Sequence, residues 1–244
     1  MEVHHHPEVG NKNFKEYLLE GLMIFLAVTM GFIAESLREN INSKDKEQEY
    51  VVSFVNNLEK DKTSLDNCIF DNKKKIKGLD SILSLSDKSM AVPENRKLLY
   101  VYAWWISFYS VFISNDATMT QLKNSGGLQF IKHAHVADSI SEYDQELRGI
   151  YAAEAPYSKF STDATEVMTE LLIFNLKKNN TVKLTGHSYE PYPLLTLDQR
   201  KVQVFFNKIK LEQGWTQNYV KNLQERLPYT TKLIALLKKE YGLE

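Results

Sequence analysis

The most conspicuous polar cluster in the sequence is His4-His5-His6, close to the N-terminus. Three adjacent imidazoles on a terminal tail bind a transition metal weakly, and an oligomer would multiply such sites. No cysteine and no fixed carboxylate accompanies these histidines, so the cluster does not predict a defined metal centre. The alternative role is interfacial anchoring or a contact that depends on pH.

The rest of the chain carries no recognisable catalytic motif. HExxH, GxSxG, a Cys–His signature and the kinase set are all absent. Cys68 is the only cysteine, which excludes an intrachain disulfide and a cysteine-based zinc site. The acids between 138 and 154 follow a helical surface pattern and do not define an acid–base pair. We therefore predict a protein that is not an enzyme and that needs no cofactor.

The charge balance limits the class of partner. The 244 residues include 30 Lys and Arg against 31 Asp and Glu, a formal net charge of −1. A general nucleic-acid binder shows a basic excess, so no nucleic-acid partner is predicted. The only basic run, Lys73-Lys74-Lys75 with Lys77, is interpreted as a solvated helix face.

The element that dominates the N-terminal part is the apolar stretch 17–37, YLLEGLMIFLAVTMGFIAESL. Its twenty-one residues make a helix of about 31 Å, enough to cross a hydrocarbon core of about 30 Å. A signal peptide is the rival interpretation, because Lys12 and Lys15 precede the stretch, although Glu16 and Glu20 interrupt the positive region. A buried core helix is the third. We expect a retained membrane span.

This stretch also carries a resemblance. The segment HHHPEVGNKNFKEYLLEGLMIFLAVTMGFIAESLREN resembles the N-terminus of an uncharacterised family of single-span inner-membrane proteins from Bacteroidota. A second block, ATMTQLKNSGGLQFI at 117–131, is similar to that family's Leu-Lys-x-Ser-Gly-x-Leu segment, and VADSISEYD follows it. The resemblance implies an inner-membrane protein of about this length. It implies no activity, cofactor or catalytic residue.

Small and acidic residues share one face of the predicted span. Residues three and four apart are neighbours on a helix, which groups Glu20, Ala27, Gly31, Ala34 and Glu35. Ala27-x-x-x-Gly31 is a small-xxx-small pair that allows close approach of two helix backbones in lipid. We name these five residues the association face and expect it to contact a second copy or another membrane subunit. Alternatively, the small residues have no partner and the acids reach to the interfaces.

The expected fold class is all-α. We predict a tail over 1–16, a membrane helix over 17–38, an amphipathic stalk helix over 39–85 and a helical extramembrane domain over 86–244. An apolar stripe continues along the stalk and is interrupted at Lys62 and Asn72; its members are Val51, Val55, Leu58, Leu65, Ile69, Ile76, Leu79 and Leu83. The stripe can pair with a second copy as a coiled coil or pack within the chain.

Several features of the C-terminal domain are also predictable. The uncharged stretch 98–113 reads as a buried core helix rather than a second span. Gly126 and its neighbours end a short helix that begins near Ala117, and Pro156 marks a kink or break. The irregular stretch from 179 to 195 is the expected partner-contact loop, with His187, Tyr189 and Tyr192 as its contact residues. Two further helices, 197–226 and 228–241, complete the chain.

The predicted function is a non-enzymatic, single-span scaffold or accessory subunit in lipid, either a homo-oligomer or part of a larger inner-membrane complex. One alternative is an ion- or proton-conducting oligomer with rings of Glu20 and Glu35 at the pore mouths. Another is a ligand-sensing bundle that signals through a partner. Basic groups are balanced across the span, three on each side, so charge decides orientation weakly; a short uncleaved tail favours a periplasmic C-terminal domain.

Overall fold

The computed structural model describes residues 13–124, 126–174, 181–183 and 189–243. The all-α prediction is confirmed: a long apolar N-terminal helix is followed by further helices. The helices are α1 (Phe14–Leu83), α2 (Pro93–Tyr102), α3 (Trp104–Ser107), α4 (Ala117–Asn124), α5 (Ala134–Leu171) and α6 (Gln199–Tyr241). A 3₁₀ turn (Gly127–Phe130) follows α4, and two short antiparallel strands, β1 (Thr181–Lys183) and β2 (Tyr189–Pro191), lie between α5 and α6.

The chain divides into two compact units, Met1–Glu49 and Tyr50–Glu244. The boundary falls within α1 and inside the segment predicted as a stalk. In the first unit, the described residues form the N-terminal part of α1. The second unit holds both hydrophobic cores, and the long segments of α1, α5 and α6 supply most of their side chains.

Side-chain contacts define the helix directions in the second unit. Tyr143 contacts Asp61, and Ser161 contacts Lys75, so α1 and α5 run parallel. Parallel neighbours need a long connection, and α2, α3 and α4 provide it.

Helix α6 runs in the opposite direction to α5. Arg226 pairs with Glu146, and Tyr219 stacks on Tyr157. Later residues of α5 therefore contact earlier residues of α6, as in antiparallel helices. The short connection between them carries β1 and β2.

The apolar stripe on α1 packs inside the chain. Leu58 and Leu79 are fully buried, Leu65 is 1% exposed, and only Ile76 and Leu83 are partly exposed. Burying a leucine side chain stabilises the fold by about 1.5–3 kcal/mol, so this stripe holds α1 onto α5 and α6. From Val51 onward the apolar stripe therefore packs within the chain. This is the second of the two alternatives, since the first was a coiled coil with another copy.

The prediction of one core helix over 98–113 was wrong. Helix α2 ends at Tyr102, α3 ends at Ser107, and residues 108–116 form neither helix nor strand. Two side chains from other helices bond to the backbone of this irregular segment: Asn72 donates to the Ser110 carbonyl at 2.9 Å, and the Phe112 amide donates to the Tyr219 hydroxyl at 3.0 Å. Aromatic and β-branched residues gain little from helix formation, so these distant contacts prevail.

The two internal prolines do not end their helices. Helix α5 continues through Pro156, and α6 continues through Pro228, where two helices were predicted. A proline removes one backbone hydrogen bond, but buried residues on both sides of each proline hold these helices in the core. In α6 these are Leu223 and Leu233.

Gly126 and Tyr192, both outside the helices, have a left-handed backbone conformation. Gly126 has a φ of 66°, the left-handed conformation that ends helices such as α4, as predicted. Tyr192, just after β2, has a φ of 50°, which is strained for a residue with a side chain. The Tyr100 hydroxyl binds this region by donating to the Pro193 carbonyl at 2.5 Å and accepting from the Ile173 amide at 2.9 Å.

Candidate functional site

The N-terminal part of α1 exposes apolar side chains around its whole circumference. It is the one helix, among the described residues, that is long and apolar enough to cross a membrane, and none of its apolar window is buried. The fifteen exposed large side chains are Phe14, Tyr17, Leu18, Leu19, Leu22, Met23, Ile24, Phe25, Leu26, Val28, Met30, Phe32, Ile33, Leu37 and Ile41. Leaving them in water would cost on the order of 20 kcal/mol or more. The helix is therefore compatible with a membrane span.

The five residues of the association face lie on this helix. At about 100° per residue, its five members fall within an arc of about 100°. All five are exposed, and a side chain added at Gly31 would meet no atom within 4 Å. The face is therefore sterically open to another helix.

One acid on this face is paired within its own helix. Arg38 donates from Nη2 to Glu35 Oε1 at 2.5 Å and from Nε to Oε2 at 2.9 Å. This bidentate pair lowers the cost of placing the carboxylate near lipid. Thr29 behaves similarly, since its hydroxyl donates to the Phe25 carbonyl at 2.8 Å.

The predicted histidine and loop sites are only partly described. His4, His5, His6 and His187 lie outside the described residues. Of Tyr189, only its place at the start of β2 is described.

Tyr192, predicted as a contact residue, is half-buried. Its ring lies 5.8 Å from that of Tyr100. Among the described residues, no group of three His, Cys, Asp or Glu side chains could hold a metal ion.

A second candidate site, which sequence reasoning missed, is a buried polar network in the second unit. Lys75 Nζ lies 2.7 Å from Glu212 Oε1, and both side chains are fully buried. Ser161 of α5 joins them: its hydroxyl accepts from Lys75 at 3.0 Å and donates to Glu212 Oε1 at 3.2 Å. The interpretation of Lys75 as part of a solvated face was therefore wrong; its neighbours Lys73, Lys74 and Lys77 are exposed.

The network extends along α1 towards the extended segment. The Tyr157 hydroxyl donates to Asn72 Oδ1 at 2.8 Å, and the Lys75 ammonium lies 5.1 Å from the centre of the Tyr157 ring. Tyr157 is in turn stacked between Tyr109 and Tyr219, at 5.1 and 4.8 Å between ring centroids. Asn72, which interrupts the apolar stripe, thus has a defined partner in the core.

Burial dominates the electrostatics of this network. It raises the pKa of Glu212 from 4.5 to about 7, although Lys75 and the Ser161 hydroxyl act in the opposite direction. Burial also lowers the pKa of Lys75, against the attraction of Glu212. Glu212 Oε2 has no hydrogen-bond partner within the described parts of the chain. The pair is therefore fully buried, with one carboxylate oxygen unsatisfied among the described residues.

A third polar cluster is fully satisfied. Asp61 accepts from the Asn115 amide at 2.6 Å, the Asn115 side chain at 2.9 Å and the Tyr143 hydroxyl at 2.7 Å. Burial, followed by the charge of Asp61, raises the pKa of Tyr143 far above its ordinary value. Both carboxylate oxygens of Asp61 accept hydrogen bonds. Asp61 thus connects α1 to α5 and to Asn115, which precedes α4.

A local signal for the network exists in the sequence. Asn72 and Lys75 are three residues apart, and Leu79 follows Lys75 by four, so both polar residues lie on the apolar stripe. That register predicts burial for Lys75 once α1 is known to pack within the chain. Its partner Glu212 has no such local signature.

Comparisons of the chain with protein-family models, curated proteins and solved structures found no match. The fold and the two sites therefore have to be interpreted from their own geometry.

Proposed function

We propose that the protein is a single-span scaffold or accessory subunit of a bacterial inner membrane, without enzymatic activity. Its α1 segment 17–38 spans the lipid and associates through the face formed by Glu20, Ala27, Gly31, Ala34 and Glu35. The partner is a second copy of the chain or another membrane subunit. The observation that carries this proposal is an apolar helix left uncovered on all sides, with an open small-residue face.

The packing of the second unit supports the location of the contact. The stripe that could have formed a coiled coil is occupied within the chain, with Val51, Leu58 and Leu65 nearly inaccessible. Self-association through that stripe would require the bundle to open. The association face has no such competitor, since a side chain at Gly31 meets nothing.

The test replaces small residues on the association face by leucine. In Ala27→Leu/Gly31→Leu, the added side chains hold two helix backbones apart, so the oligomeric fraction in a crosslinking or mass measurement in gentle detergent should fall. The matched control is Gly21→Leu/Val28→Leu, about 90° away on the same helix, where Gly21 also has free space around it. Equal complex size in both variants would refute the proposal.

We place the second unit in the periplasm. Protease added to spheroplasts should then digest the second unit. An intact second unit would reverse the orientation without affecting the association face.

Ion conduction receives less support from the side chains. The Glu35 carboxylate is neutralised by Arg38 of the same helix, so a ring of Glu35 would not present uncompensated charge. Bilayer conductance that is lost in Glu20→Gln would restore this alternative. The ligand-sensing alternative depends on the second unit, whose buried network is considered next.

A further inference from the structure

The Lys75–Glu212 pair is an unusual component of a bundle core. It joins α1 to α6 directly and to α5 through Ser161, and its two charged groups are fully buried. Removing two charges from water costs several kcal/mol per ion, and the attraction between them offsets this fully only when all remaining polar atoms are bonded. Glu212 Oε2 lacks such a bond among the described residues. Protonation of this carboxylate would remove its own buried charge, and the Lys75 ammonium would keep the Ser161 hydroxyl at 3.0 Å and the Tyr157 ring, 5.1 Å from its centre, as partners.

A surface groove reaches Ser161, the residue that bonds to both members of this pair. The groove has a volume of about 330 Å³ and is lined by α3, Tyr109 and α5, including the hydroxyl groups of Ser107, Ser158 and Ser161 and the carboxylate of Glu166. Ser161 is 6% exposed and is bonded directly to Glu212 Oε1. A hydroxyl has one donor and two acceptor positions, so after binding Glu212 and Lys75 it retains one acceptor position for water in the groove.

We infer that Glu212 is a proton-binding switch that controls how tightly α1 packs against α5 and α6. The proton enters through the groove: the Ser161 hydroxyl transfers its proton to Glu212 Oε1 and regains one from a hydronium ion in the groove. Carboxylate becomes carboxylic acid, hydronium becomes water, and serine is unchanged. This role is independent of the association face.

Three other ionisable groups near Glu212 have a pKa raised above their ordinary values. From α1, Cys68 has a pKa raised by burial; from α5, Tyr157 has a pKa raised well above its ordinary value, again by burial. The same holds for Tyr219 on α6. Helix α3 brings only Trp, Ile and Ser side chains. Lys75 is the one charged group in direct contact with Glu212 among the described residues.

Two charged residues lie just beyond this shell, around the neighbour of Glu212. Gln213 donates to Asp80 of α1 and accepts from Lys210 at 2.7 Å. Asp80 and Lys210 are therefore both hydrogen-bonded to the Gln213 side chain, and no contact joins either of them to Glu212 among the described residues.

The sign of the effect follows from linkage. Since the pKa of Glu212 is about 7 in the folded chain and 4.5 ordinarily, the folded state binds this proton more tightly than the unfolded state. The stabilisation is complete below about pH 4.5 and is lost as the pH rises through about 7. The core should therefore loosen on the alkaline side.

Infrared spectroscopy of the full chain in detergent micelles tests the proton site directly. We expect a carboxylic-acid carbonyl band that titrates with a midpoint near 7 and that is absent in Glu212→Gln. In Ser161→Ala the midpoint should move upward, because a hydrogen bond that favours the carboxylate is lost, and Ser161→Thr should restore it. A wild-type chain whose carboxyl groups all titrate near the ordinary glutamate value would overturn the inference.

Unfolding and hydrogen exchange test the consequence for packing. From about pH 5 to about pH 8, the Tm of Glu212→Gln should rise relative to wild type by about 5–10 °C. The control Glu225→Gln removes an exposed partner of Lys221 and should follow the wild type. Exchange protection of α1 around Lys75 should fall over the same range in wild type only. Parallel curves for Glu212→Gln and wild type would refute the switch.

Discussion

Gly78 is the position at which a minimal substitution should most clearly test the packing of α1. The Trp105 ring of α3 lies directly over this glycine, so a methyl group added there would fall well inside van der Waals contact with three indole carbon atoms. An alanine in a helix interior is favoured over glycine by about 1 kcal/mol. Overpacking of a filled site costs about 1–3 kcal/mol, and here the obstacle is a rigid ring.

We therefore expect Gly78→Ala to lower the free energy of unfolding by about 1–2 kcal/mol, although it improves helix propensity. Gly214 of α6 is the matched control, because an added methyl group there meets no atom within 4 Å. Gly214→Ala should raise the free energy of unfolding by about 1 kcal/mol. For a chain of this size, the two changes correspond to Tm shifts of about 2–4 °C per kcal/mol, in opposite directions.

The assay is thermal unfolding followed by far-ultraviolet circular dichroism, with a double-mutant cycle. In a Trp105→Ala background, the obstacle is gone, so Gly78→Ala should become stabilising like Gly214→Ala. The coupling between the two positions should then be about 2–3 kcal/mol. If Gly78→Ala raises the Tm of the wild-type chain as much as Gly214→Ala does, the packing of α3 on α1 is not as described.

Two further changes test other contacts of the bundle. Asp61→Ala leaves three donors from Asn115 and Tyr143 without their acceptor and should lower the free energy of unfolding by about 3–5 kcal/mol. Asp66→Ala, at an exposed position on the same helix, should lower it little. Equal losses of the two variants in urea unfolding would argue against the Asp61 cluster. Pro228→Ala restores a backbone donor inside α6 and should raise the Tm by several °C. A lower Tm would mean that α6 requires the geometry that proline imposes.

Part of the fold was predictable because its causes are local. The composition of 17–37 makes an uncovered helix unfavourable in water, whatever the rest of the chain does. The spacing of the stripe from Val51 to Leu79 places its members on one face, and the φ that Gly126 adopts is accessible to glycine without strain. Each of these features depends on residues within a few positions of one another.

The two candidate sites also differ in how far local sequence predicts them. The association face was proposed from helical spacing alone. For Lys75 the spacing and the composition disagree: it is in register with the apolar stripe, but a lysine in a basic run is ordinarily solvated. Its burial depends on Ser161, 86 residues away, and on Glu212, which is further still.

The sequence by itself determined the helical class, the one apolar helix suited to a membrane and the face along α1 that must be covered, because these follow from period and composition. Only the tertiary structure decided that α1 packs against its own chain, that 108–116 is not helical and that the Lys75–Glu212 pair lies in the core. The physical reason is that desolvation and hydrogen bonding act between residues distant in sequence. Their balance is set only when the helices meet.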